Sequence, residues 1–288
     1  MRSCLMLIFL CGISTGKSQD ILHKADSLFK VGNYSQSGLT YEWILYSESD
    51  PASTDLAMLG RIQSYKKLSQ YDKAIDYIDR VNTLELSDSL RVALIYESLL
   101  LNYLAENYHE VQSRLLMSKQ LLKETSYFND ASLLLCLSQL KAGNWKRAST
   151  SSEAYIYNLA PFEKAESLIT EFHSIFDTLQ APKLKKPRTA RILSMIVPGS
   201  GQAYAGYPFD GFISFGLHVI ALGGAGLAFT QGLYITGWIG GFGVLQKLYF
   251  GGNHRAADLA EQKNQLNKEN FIQPASSFLI SISEEYKD

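Results

Sequence analysis

Gly211–Gln246 reads GFISFGLHVIALGGAGLAFTQGLYITGWIGGFGVLQ, 36 residues that include ten glycines and no Asp, Glu, Lys or Arg. Only His218 in this run can titrate. A helix that crosses a bilayer takes about 20 apolar residues. The run is therefore long enough for two crossings, and Thr230-Gln231-Gly232 supplies a break between them. The pattern predicts a helical hairpin, Phe212–Thr230 going out and Leu233–Phe250 returning. A helical hairpin buried in a large soluble core competes with this, but the length threshold is met twice in succession. Gly237-x-x-x-Gly241 and Ala221-x-x-x-Ala225 form small-residue faces that let two helices pack closely. Trp238 reads as a packing or lipid contact. His218 has no acidic partner in either span, so a neutral interhelical hydrogen bond is expected there rather than a polar functional site.

Immediately upstream stands Ser194-Met195-Ile196-Val197-Pro198-Gly199-Ser200-Gly201-Gln202-Ala203-Tyr204-Ala205-Gly206-Tyr207-Pro208-Phe209-Asp210-Gly211. It is not a nucleotide loop. The third glycine of a dinucleotide fingerprint is missing, and Tyr207 stands where a phosphate loop needs lysine. Gly199-Ser200-Gly201 is not a nucleophile elbow either. Pro198 is expected to end a short helix begun near Ala190. Gly199 and Gly201 permit the positive φ that a sharp turn requires. Gln202 can satisfy carbonyls freed by that turn, and Tyr204 and Tyr207 suit a headgroup layer. The set Pro198, Gly199, Gly201, Gln202, Tyr204, Gly206 and Gly211 resembles the signature Pro-Gly-x-Gly-Gln-x-Tyr-x-Gly of a two-helix membrane domain of bacterial proteins, often of unknown function. The resemblance covers about 187–267. Such domains also occur behind tetratricopeptide repeats.

Before the motif, Gln180-Ala181-Pro182-Lys183-Leu184-Lys185-Lys186-Pro187-Arg188-Thr189-Ala190-Arg191 holds two prolines and five basic residues. It reads as a basic linker, 181–191, that touches lipid headgroups; a solvated hinge is the alternative. No aromatic residues interleave with the charges, so nucleic acid is not expected as a partner.

The first half of the chain carries an internal repeat. Tyr34, Tyr71, Tyr108 and Trp145 recur at an interval of 37. Each follows a turn-forming pair and precedes, by three positions, a small or β-branched residue: Ser37, Ala74, Val111 and Ala148. The physics is that of a helix–turn–helix unit. Gly32-Asn33 and Gly143-Asn144 turn cheaply, the aromatic opens the second helix and plugs the gap, and the small residue admits close approach. The pattern resembles the tetratricopeptide repeat, best in Gly32–Ser37 and Gly143–Ala148. That family's usual unit is about 34 residues, so these units have longer helices or loops. The resemblance implies an all-α solenoid over 19–180 that binds protein partners on an extended surface. Pro161 opens Phe162–Leu179, which reads as the capping helix.

At the start, Met1-Arg2-Ser3 precedes the apolar run Cys4–Ile13 and the small residues Gly16 and Ser18. This is the pattern of a secretory signal over 1–18, cleaved after Ser18. An uncleaved anchor and a lipidated Cys11 compete, the latter against Leu10, which is too large for such a signal. Cys136, within Leu133–Leu137, reads as a small buried hydrophobe. Past the hairpin, Asn253 is expected to cap a polar helix, Arg255–Phe271, within a final segment 253–288. The alternation in Ser276–Ser283 has no assigned role.

Formal net charge is −1, so no global field selects an acidic or nucleic-acid partner. No catalytic, cofactor or metal site is expected. His23, His109, His173, His218 and His254 pair with no Cys, His or carboxylate at ligand spacing. The chain is expected to be no enzyme but a membrane-anchored scaffold of the bacterial cell envelope. Its repeats, expected in the periplasm, would hold a protein partner, and its hairpin and basic linker would meet lipid. The alternative is a membrane-assembly or transport component whose hairpin packs with other spans and whose repeats regulate it.

Overall fold

A computed structural model describes residues 19–47, 51–82 and 86–286. The expected signal over 1–18 lies outside the described residues. Among the described residues the regular elements are helical and there is no strand. The first helix, α1, covers 19–30. It is followed by α2 (Tyr34–Ser47), α3 (Pro51–Lys67), α4 (Tyr71–Asp79), α5 (Asp88–Leu104), α6 (Tyr108–Leu122), α7 (Tyr127–Lys141), α8 (Trp145–Leu159) and α9 (Phe162–Ile175). A 3-10 turn at Thr178–Gln180 leads to α10 (Pro187–Ile196), α11 (Ser200–Ala205) and α12 (Pro208–Thr230). The chain closes with the single turn α13 (Tyr234–Thr236), a π-helical stretch Gly237–Phe242 and α14 (Gly243–Glu285). Contacts divide it into two compact units: Met1–Thr170 with Leu279–Asp288, and Glu171–Phe278.

In the first unit, from α2 to α8, each helix packs on the next, and α5 also packs on α3 and α7. The four repeating aromatics are the first residues of α2, α4, α6 and α8. Two positions before each, the backbone is left-handed: φ is 83° at Gly32, 55° at Ser69, 62° at Glu106 and 78° at Gly143. One bond recurs with it. The N–H groups of Asn33, Gln70, Asn107 and Asn144 donate to the carbonyls of Leu28, Tyr65, Asn102 and Gln139 at 2.8–2.9 Å. This is the six-to-one closure by which a left-handed residue ends a helix. The same turn is therefore built four times, twice without glycine.

The interval also orders the core. Ser37, Ala74, Val111 and Ala148 are fully buried, and so, on the preceding helices, are Ala25, Ile62, Leu99 and Cys136. These two sets put small or medium side chains at the point of closest approach within each helix pair. The Ser37 hydroxyl donates to the Ala25 carbonyl at 2.9 Å, which satisfies the one strongly polar member. Apolar burial is serial: one cluster joins α1, α2 and α3 around Tyr41 and Ile44, a second joins α3, α4 and α5, and a third joins α5, α6 and α7. Each fully buried leucine or isoleucine in them contributes about 1.5–3 kcal/mol. Tyr34, Tyr71, Tyr108 and Trp145 themselves are only partly buried. The fully buried partner is the small residue one turn on, because a ring at the mouth of a tight turn keeps one face to solvent.

Several boundaries differ from the sequence expectations. The capping helix ends at Ile175 rather than Leu179, because Asp177 turns the chain by accepting the Leu179 N–H at 2.8 Å. The basic linker is shorter than 181–191. Pro187, with φ already fixed for a helix, starts α10, and Ala190 is fully buried. No break follows Phe250. Gly251 and Gly252 are helical, Asn253 is buried instead of capping, and α14 runs on through Pro274 to Glu285. The expected helix Arg255–Phe271 and the alternating tail are thus parts of one rod. Its last turns belong to the first unit, where Leu279 and Ile282 are buried and the Tyr286 ring lies 5.7 Å from Lys164 Nζ.

Candidate functional site

The glycine-rich stretch packs α10, α11 and α12 against α14 in the second unit. Gly199, with φ 92°, and Gly206, with φ 98°, bracket α11. Each supplies a conformation that a side chain resists. Gly201 has a different duty. A Cβ there would run into the Ala190 carbonyl oxygen and the Ser194 hydroxyl, so α11 lies directly on α10. Gly199 and Gly211 likewise back onto one another, each leaving no room for a Cβ on the other.

A chain of buried hydrogen bonds runs through this contact. The Gly201 N–H donates to Ser194 Oγ at 3.1 Å, and that hydroxyl donates to Gln202 Oε1 at 2.8 Å. Gln202 Nε2 then donates to the Gly252 carbonyl at 3.1 Å. Gln202 is fully buried. It thus meets the expectation that its amide would satisfy a carbonyl, though the carbonyl belongs to α14 and not to the turn. A Cβ on Gly252 would make only ordinary contact with Ser214 Oγ, at 3.5 Å, so the approach of α14 here does not depend on that glycine. Ser200 Oγ caps the end of α10, lying 2.7 Å from the Leu193 carbonyl and 2.8 Å from that of Val197.

Around this clasp, Ala190, Ala205, Ala256, Leu259 and Ala260 form a small core against which Tyr204 and Tyr207 pack. The two tyrosines, half-buried, lay their rings on an alanine-rich helix crossing. The Tyr204 hydroxyl accepts the Lys186 N–H at 3.3 Å, and Lys185 Nζ stands 5.0 Å from its ring. Asn264 pins the extended segment before α10, accepting the Lys185 N–H and donating to its carbonyl, both at 2.7 Å. Asp210 pairs with Arg255 at 2.6 Å. Ser194, Asn264, Asp210 and Arg255 were given no role in the sequence. The partners of Asn264, Asp210 and Arg255 lie tens of residues away, and those of Ser194 lie seven and eight residues on, across a turn, so no helical spacing announces them.

Beyond the clasp, α12 turns at Gly232 (φ 75°) and the chain comes back alongside it. Ala225 is buried against this return. A Cβ on Gly241 would collide with the Ala225 methyl, and one on Gly237 would touch the Phe229 ring at 3.1 Å. The two small-residue faces therefore meet. His218 is 7 % exposed, and its Nδ1 lies 2.7 Å from the Ser214 carbonyl of its own helix. The expected interhelical bond is replaced by this local one, since a carbonyl four residues back is the nearest acceptor in any helix.

The chemistry of the clasp is that of a joint. Its polar atoms are spent on one another, and among the described residues no group of His, Cys, Asp or Glu could hold a metal ion. The Cys136 thiol is fully buried, and burial pushes its pKa up to about 12, the opposite of what a nucleophile needs. No family model, no curated protein and no solved structure matches the chain.

Proposed function

We propose that the chain is a membrane-anchored, tetratricopeptide-type scaffold that mediates protein–protein interaction at the bacterial cell envelope, with its repeats in the periplasm. The observation that carries the anchoring half is exposure. In α12, long and apolar enough to cross a membrane, the most apolar window is only 11 % buried. Phe212, Ile220, Leu222 and Leu227 face outward, as do Ile235, Trp238 and Ile239 on the return. So large an apolar surface is untenable in water and natural in lipid. The repeats carry the binding half through their serial clusters and shared turn. Stacked helix pairs offer extended surface without a reactive group.

A second feature supports a hairpin rather than one crossing. The first unit takes residues from both sides of the apolar region, 19–170 and 279–286. Both must share a compartment, so the number of crossings between them is even. Lys183, Lys186, Arg188 and Arg191 are exposed beside the clasp, where anionic headgroups would meet them.

Two measurements test the proposal. Cysteines at Ser113, Gln231 and Ser281 should label from one side at 113 and 281 and from the other at 231; opposite sidedness of 113 and 281 excludes the hairpin. Purification of the full chain in mild detergent should recover soluble polypeptides. Recovery of integral membrane proteins alone would favour an assembly or transport component whose hairpin is the working part.

A further inference from the structure

The exposed apolar surface of the hairpin ends at one level on both of its helices. On α12, Asp210 is the last charged residue before the span, and Phe212 is exposed just beyond it. On α14, Tyr249 and Phe250 are exposed and Arg255 follows within two turns. Asp210 and Arg255 meet at this level, 2.6 Å apart. Between the two helices lies a cleft of about 320 Å³, with Ser214, Lys247 and the Asp210–Arg255 pair as its polar lining and Leu217 and Leu248 on its apolar side. That volume is within the range of small-molecule sites, about 300–1,000 Å³.

Lys247 is the member without a counterpart. Between Asp210 and Arg255 it is the one Asp, Glu, Lys or Arg in the sequence. It is exposed, and it makes no ion pair or hydrogen bond among the described residues. The Asp210 charge is met by Arg255, so the lining carries one uncompensated positive charge. An ammonium beside hydrocarbon is costly unless its stem carries it to the headgroup level. Lys247, Gly251 and Arg255 stand at i, i+4 and i+8 on one face of α14, about 12 Å from end to end. Both long side chains can therefore bend towards Gly251. A Cβ on Gly251 would meet nothing within 4 Å, so the helix is a bare notch there. Across from it, beside Gly252, the Ser214 hydroxyl has no hydrogen-bond partner among the described residues. An ammonium, a spare hydroxyl and a notch thus meet at the edge of the span, with Leu217 and Leu248 one turn further in.

We infer that this cleft holds one anionic phospholipid, its phosphodiester over Gly251 between Lys247 and the Ser214 hydroxyl, and an acyl chain along Leu217 and Leu248. One phosphodiester charge balances the one uncompensated ammonium. A zwitterionic lipid would bring its own cation beside Arg255, where the single carboxylate of the lining is already engaged. A free anion would leave the apolar side of the cleft uncovered. The inference rests on the membrane anchor proposed above and adds to it a particular lipid at a particular place, apart from the basic residues of the linker.

The test uses the full chain in nanodiscs of equal palmitoyl-oleoyl phosphatidylglycerol and phosphatidylcholine, released into native mass spectrometry. One phosphatidylglycerol should stay on each chain under activation that strips phosphatidylcholine. Lys247→Gln, at an exposed position, should lower that retention by about tenfold, the worth of one charge-assisted hydrogen bond. Gly251→Leu fills the notch, keeps every charge and should do the same. Lys268→Gln removes an equal charge from α14 beyond the cleft and should leave retention unchanged. Equal retention of the two lipids overturns the inference, as does retention that survives Lys247→Gln. An equal loss in Lys247→Gln and Lys268→Gln overturns it too, because the attraction is then spread over the surface. Displacement by deacylated glycerophosphoglycerol would make the site one for a soluble anion and overturn the lipid. Flotation with liposomes separates the two readings: a chain that floats without lipid preference sinks this site alone, and a chain that does not float sinks the anchor with it.

Discussion

Gly199 and Gly211 face each other backbone to backbone, so that a Cβ on either would enter the space of the other's carbonyl group. Gly199 also holds a left-handed φ of 92°. Neither neighbour can yield, because both are main chain. Gly199→Ala and Gly211→Ala should each prevent α12 from seating on α11. Gly216→Ala and Gly223→Ala, where an added Cβ meets nothing, should be tolerated. Yield and melting temperature in mild detergent measure this; equal behaviour of the four variants would refute it.

The four repeat turns offer a paired experiment. Ser69 and Glu106 hold the left-handed conformation that Gly32 and Gly143 hold without strain. A left-handed non-glycine residue costs roughly 1–2 kcal/mol, part of which glycine returns as unfolded-chain entropy. Ser69→Gly and Glu106→Gly should therefore stabilise by up to about 1 kcal/mol. Gly32→Ala and Gly143→Ala should destabilise by a similar amount. Urea midpoints decide, with the slope unchanged.

Tyr108→Ala should lower stability less than loss of a fully buried ring. Complete burial gives about 3–5 kcal/mol; Tyr108 is partly buried, with its ring centre 5.7 Å from that of Tyr103. A loss of about 2 kcal/mol is expected. Val111→Asp, at a fully buried position one turn on, should be far worse because its charge has no water and no partner.

Alkali should weaken the first unit in a defined window. Burial raises the Cys136 thiol from 9.0 to about 12. Burial, followed by the nearby Asp130 and Glu97 charges, raises the Tyr96 phenol from 10.0 to about 12. In both the neutral form is the one the fold favours. Below pH 9 neither changes stability. Above it the unfolded chain gives up protons that the folded chain keeps, so stability falls as pH rises towards 12. Urea midpoints from pH 8 to pH 11 should decline, and Cys136→Ala should flatten the onset near pH 9. A thiol reagent at pH 8 should leave the Cys136 peptide unmodified in the folded protein.

The sequence made the helical class and the repeat register legible because both are local or periodic. An aromatic every 37 residues, with a small residue one turn later, states where each second helix begins. The motif glycines were legible as turns, yet only Gly199 and Gly206 turn the chain; Gly201 and Gly211 serve close approach. Those two roles look alike in one sequence. The hydrogen-bond relay from Ser194 through Gln202 to Gly252, and the two Asn264 bonds, join residues far apart and left no periodic trace. Asn253 was expected to cap a new helix, yet α14 runs through it. The long-range bond from Gln202 to the Gly252 carbonyl ties this part of α14 to the clasp, and nothing local in the sequence announces it.

The return of Leu279–Tyr286 to the first unit also sets a clock on biogenesis. These residues are synthesised only after all of Glu171–Phe278, a delay of roughly 5–20 s at ordinary translation rates. For that interval the nascent repeats lack their closing segment, with the sites of Leu279 and Ile282 unfilled. On the proposed hairpin, the segment can arrive only when the apolar region crosses an even number of times. On that same proposal, a chain with an odd number of crossings would leave the first unit without this segment and open to proteolysis.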